Sequence, residues 1–147
     1  ILPAKDFLTR YGFHQESFAF VYGIRNKKLE KELGSIFSNI RGVSETQRHK
    51  MIKRIQDVKD IYFDRESQQI VRGFCIDEIQ EVNIEQITYI LKKIKRENKI
   101  IVFYAHTPRE NVSTGKWEVK IDFLKEIFKI ANEMKIKSYR FRDINHV

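Results

Sequence analysis

The sequence predicts an α/β fold in which parallel strands alternate with helices as part of a distorted (β/α) barrel, and three observations carry that expectation. Apolar runs rich in β-branched and aromatic residues, at 17–22, 69–76 and 99–105, recur between stretches whose apolar residues fall at helical spacing. No hairpin signal separates them, so the connections are crossovers and the strands run parallel. The clearest run, Ile100-Ile-Val-Phe-Tyr-Ala105, ends in His106-Thr107-Pro108. That is how a buried parallel strand delivers a titratable side chain to its C-terminal mouth, where barrel active sites collect.

The elements follow in order. Residues 4–10 read as the end of a helix, stopped near Gly12. Ser17-Phe-Ala-Phe-Val-Tyr22 reads as a strand closed by Gly23. Asn26 caps a helix whose apolar positions are Leu29, Leu33, Ile36 and Phe37. A short strand spans 39–41, and a basic helix runs from about Gln47 to Val58. A strand over 69–76 and a helix from Asn83 to Glu97 follow, and then the strand over 99–105. A polar loop over 108–116 leads into a helix over 119–134, and residues 136–141 make a last strand. No strand is followed by a Gly-rich phosphate fingerprint, which removes dinucleotide and P-loop folds from consideration.

With 147 residues there is room for one domain with a real core. A hydrophobic content of 41% with 12% aromatic residues describes a folded chain. No apolar run approaches the roughly 20 residues of a membrane-spanning helix. Cys75 is the only cysteine, so no intrachain disulfide and no cysteine zinc cluster forms. The chain opens on Ile1, which reads as a processed chain or a piece of a longer protein, and its destination, cytoplasmic or exported, stays open. The net charge is +8, with a pI near 9.6. The basic clusters at 48–54 and 92–99 are interleaved with Met51, Ile52 and Ile55, and with Ile87, Ile90, Leu91 and Ile94. They read as solvated faces of amphipathic helices, with no specific nucleic-acid motif beside them.

Two segments carry a family resemblance. Ser17-Phe-Ala-Phe-Val-Tyr-Gly23 with Arg25-Asn26, and Val102-Phe-Tyr-Ala-His-Thr-Pro108, resemble the later motifs of the polysaccharide deacetylases, carbohydrate esterase family 4. The spacing between them and the closing Ser138-Tyr-Arg-Phe-Arg-Asp143 also look like that family's C-terminal half. The resemblance implies that residues 1–147 are the C-terminal portion of one deacetylase-like domain. It implies hydrolysis of acetyl groups from N- or O-acetylated polysaccharides or oligosaccharides with a divalent metal, commonly zinc. His106 matches the family's general acid, needed because an amine leaves poorly unless protonated. The backbone N–H of Tyr22 matches an oxyanion donor, and Asp77 matches the aspartate that orients the histidine.

The chain departs from the family in several places. Val21 stands where proline is usual, and Ala19 where many members carry an arginine that steadies the catalytic aspartate. There is no Thr-Phe-Asp-Asp-Gly segment and no His-x-x-x-His pair. The histidines are His14, His49, His106 and His146, without ligand spacing, so no metal is expected on this chain alone. Two accounts follow. One is the C-terminal part of a metal-dependent deacetylase, whose truncated barrel would favour oligomers. The other is a non-catalytic deacetylase-like domain that binds carbohydrate or a protein partner.

Overall fold

The computed structural model describes residues 2–13, 15–48, 55–64 and 70–146. His14, His49, residues 49–54 of the expected basic helix and Gln69 lie outside the described residues. The chain runs α1 (Leu2–Arg10), β1 (Ser17–Ala19), α2 (Lys27–Gly34), β2 (Asn39–Val43), α3 (Glu45–Arg48), β3 (Ile70–Cys75), α4 (Ile84–Glu97), β4 (Phe103–Tyr104), β5 (Thr107–Arg109), β6 (Glu118–Lys120) and α5 (Ile121–Glu133). Four strands form one sheet in the order β1-β2-β3-β4, every neighbour parallel. The sheet curls into a half-barrel, as the alternation of strands and helices predicts.

Alternation along the strands divides the residues between two faces. Phe18, Ile40, Ile70, Phe74 and Phe103 pack on the helices. Ile40 joins Leu33 and Phe37 in one cluster, while Phe74 joins Ile87, Ile90, Leu91 and Ile94 of α4 and Ile127 of α5 in the largest. Each large apolar side chain so buried contributes about 2 kcal/mol. The opposite, inner face carries Arg41, Val71, Gly73, Cys75, Val102 and Tyr104. Its lower end is closed by Phe63, Ile144 and Phe141, packed on Val71 and Val102.

The helix caps behave as their residues dictate. Asn26 accepts from Leu29 N–H at 2.8 Å. Asn83 and Gln86 form a capping box, each side chain accepting the other's backbone N–H at 2.9 Å. Asn98 ends α4 in the left-handed region at φ 50, which asparagine tolerates.

Five expectations are corrected. The first strand stops at Ala19, and Val21–Gly23 is a 3-10 turn with Tyr22 at φ 53. α2 ends at Gly34, so Ile36 and Phe37 pack from the turn beyond it. The run over 99–105 yields only Phe103–Tyr104 as parallel strand, while Ile100 bridges Phe63 antiparallel. Residues 136–140 form no strand. Lys135 at φ 55 and the bonds Ile136 N–H to Ala131 O and Lys135 N–H to Asn132 O close α5 in a Schellman motif. The segment beyond then lines a cleft of about 550 Å³ against Phe103, Leu91 and Ile127 rather than pairing with β4. The expected polar loop also contributes β5, which pairs parallel with β6.

Candidate functional site

A register argument places the site. Cys75 and Tyr104 are partners across β3 and β4, and side chains two residues apart on a strand share a face. Asp77 and His106, each two residues further on, therefore meet at the C-terminal rim. Ile76 N–H donates to Tyr104 O at 3.0 Å and holds the two strand ends together.

Three donors converge on the Asp77 carboxylate. His106 N–H donates to Oδ1 at 3.0 Å, and His106 Nδ1 lies 2.5 Å from Oδ2. The Cys75 thiol donates to Oδ2 at 3.1 Å. The Asp77 side chain is fully buried and the His106 side chain is half exposed. An acceptor-only carboxylate beside Nδ1 assigns the proton to that nitrogen, which leaves Nε2 as the ring nitrogen that can exchange a proton with a ligand.

The surrounding residues fix this pair in place. Gln47, buried, clamps the backbone of Cys75, accepting from its N–H and donating to its O, each at 2.7 Å. Burial pushes the Cys75 thiol up to about 12, so it keeps its proton. Burial likewise raises Tyr104, and the Tyr104 ring stands edge-on to His106 at 5.9 Å. Pairing of Thr107 with Glu118 sets Trp117 beside His106, ring centroids 5.0 Å apart. Ile79 N–H donates to Lys116 O at 3.0 Å, anchoring the end of the intervening loop to the turn after Asp77.

Tyr22 occupies the same rim at the opposite edge of the sheet, in the 3-10 turn that follows β1. It is 87% exposed. Three strand spacings separate β1 from β4, roughly 14 Å along a flat sheet and less in a curled one. The structure thus brings Asp77 to His106 and leaves Tyr22 apart from both. Ala19 lies directly beside Arg41 in the ladder, and Val21 is exposed.

The resemblance implies a divalent metal, and among the described residues one group has metal-ligating chemistry. Ligand atoms of Cys75, Asp77 and His106 lie within 4.8 Å of one another. They do not fit zinc. Two ligand atoms on one tetrahedral zinc stand about 3.3 Å apart, given bonds near 2.05 Å, whereas Nδ1 and Oδ2 are in hydrogen-bond contact at 2.5 Å.

Gln47, Tyr104 and Arg41 were not singled out by sequence reasoning as parts of this site, whereas Trp117 reads in the sequence as either lining a sugar-binding groove or packing under the 108–116 loop. For Arg41 a signal existed, a charge directly after Ile40 and before Gly42-Val43 in a short strand.

Fold and site together define the class as an α/β half-barrel with a carboxylate-held histidine at its mouth. No family model, curated protein or solved structure matches the chain. No helix among the described residues is long and apolar enough to cross a membrane.

Proposed function

We propose that this chain is the C-terminal part of a polysaccharide deacetylase and supplies the proton-transfer half of its active site. The observation that carries the reading is the His106–Asp77 pair at the C-terminal rim of a parallel half-barrel. In hydrolysis of an N-acetyl group, water adds to the acetyl carbon. As the C–N bond breaks, His106 Nε2–H delivers its proton to the departing nitrogen, giving acetate and a free amine. Asp77, bonded at Nδ1, holds the ring and stabilises its charged form. Trp117 beside His106 offers an apolar face against which a sugar ring can rest.

The base that activates water and the ligands for a divalent metal belong, on this reading, to residues outside this chain. The coding sequence upstream should therefore encode an Asp-Asp motif followed by His-x-x-x-His. In the protein carrying that segment, His106→Ala should lower acetate release from an acetylated chito-oligosaccharide by about 10²–10⁴, with metal content unchanged. Loss of metal with intact turnover per bound metal, or an unchanged rate, would sink the role. An upstream sequence without those ligands would favour the non-catalytic carbohydrate-binding or interaction domain instead.

A further inference from the structure

Among the described residues, the inner face of the sheet carries a charge with no counter-charge. The side chain of Arg41, in the middle of β2, crosses Gly73 on β3. A Cβ at Gly73 would come within 3.1 Å of Arg41 Cδ and 2.8 Å of the Tyr104 ring, so the absence of a side chain there makes the passage. The guanidinium then rests over the Tyr104 ring at 4.2 Å. Its Nη1 is buried and makes no hydrogen bond. No carboxylate among the described residues forms an ion pair with it. Its ladder partner is Ala19, whose methyl group offers nothing polar.

A guanidinium nitrogen removed from water with no acceptor is costly, and natural interiors pair such groups. The buried, unsatisfied nitrogen calls for a ligand with oxygen acceptors. The planar fork of arginine matches a carboxylate, and stacking on Tyr104 presets the plane of that fork. Tyr104 also stands edge-on to His106, so whatever Arg41 holds lies close to the histidine pair. We propose that Arg41 forms an anion site that takes a carboxylate on the inner face of the sheet, beneath the His106–Asp77 pair. The carboxylate comes either from a ligand, such as an acidic sugar, or from the side chain of another polypeptide segment. This inference stands apart from the hydrolase reading, because it needs neither turnover nor metal.

The test is thermal unfolding of this chain at constant ionic strength in chloride, acetate, glucuronate or neutral methyl glucoside. The wild type is compared with Arg41→Met and with Arg96→Gln, a change at an exposed arginine on α4. In chloride, Arg41→Met should unfold at or above the wild-type temperature, because an unpaired buried charge has been removed. Acetate should raise the wild type and Arg96→Gln alike and leave Arg41→Met unmoved, with methyl glucoside inert throughout. Glucuronate acting at a tenfold or lower concentration than acetate assigns the carboxylate to a ligand. Equal potency assigns it to a polypeptide side chain. Should Arg41→Met fail to fold, Arg41→Lys keeps the charge and loses the fork, and a tenfold weaker acetate response then supports the site. Acetate that leaves the wild type unmoved, or raises an Arg41 variant as much as the wild type, overturns it.

Discussion

The two outer strands of the sheet end at the same rim in opposite conditions. At the end of β4, His106 is tied to Asp77 through both its backbone and its ring, and Asp77 is tied in turn to Cys75. At the end of β1, Val21, Tyr22 and Ile24 are 68%, 87% and 62% exposed. Tyr22 also holds a left-handed backbone at φ 53 that L side chains adopt at a cost. Arg25, bonded to Glu30 and to Glu45 at 3.0 Å, fastens that end to α2 and α3. The difference teaches that the histidine pair is built from this chain alone. The β1 rim has its backbone set and its apolar side chains facing outward.

The largest effect should follow from breaking the β4 end. Asp77→Ala leaves three donors without an acceptor in a buried place, which should cost about 3 kcal/mol and lower the unfolding temperature by roughly 6–12 °C in calorimetry. A change under 1 °C would mean that the pair forms no structural unit.

Gly23→Ala strikes the β1 end where it is most constrained. Its φ is +67, and a Cβ would fall 2.4 Å from Val43 Cγ2. Chemical denaturation should show a loss of about 2 kcal/mol. A neutral result would show that β1 and β2 can separate freely at that rim.

A pH series sharpens the comparison further. The Cys75 thiol is raised by burial from 9.0 to about 12. Between those values the unfolded chain releases the proton while the folded one keeps it. Stability from this source is therefore whole below pH 9 and falls as pH climbs towards 12. Tyr62, also raised by burial to about 12 from 10.0, adds to the fall above pH 10. Cys75→Ala should remove the part that begins at pH 9, so unfolding free energies for the two proteins should converge as pH rises. Parallel curves would contradict the burial of the thiol.

The smallest effect is expected at Tyr22. Glycine accepts its backbone conformation without strain, so Tyr22→Gly should leave stability within about 1 kcal/mol of the wild type despite the loss of an aromatic ring. A larger loss would show that this ring is packed in solution.

Much of the fold was legible because it rests on local rules. Apolar positions four and three apart with an Asn83 cap specify α4 whatever it packs on, and the β-branched run Ile70-Val71 can do little but extend. The histidine after a strand was also visible, as was an aspartate after the strand that turned out to be its neighbour. What stayed hidden depends on register. Gln47 lies 28 residues before Cys75 yet clamps its backbone, and nothing in either segment announces it. The run at 136–141 has strand composition, but the left-handed cap at Lys135 steers it along the cleft instead of onto β4.

Taken alone, the sequence determined the α/β class, the parallel order of connection and the residue types available for proton transfer. Periodicity, capping and turn chemistry are properties of neighbours along the chain. Tertiary structure decided which residues meet. The pairing of Cys75 with Tyr104 sets Asp77 against His106, and the gap at Gly73 lets Arg41 reach Tyr104. Those contacts arise from strand register and from the space between side chains, which exist only once the sheet has formed.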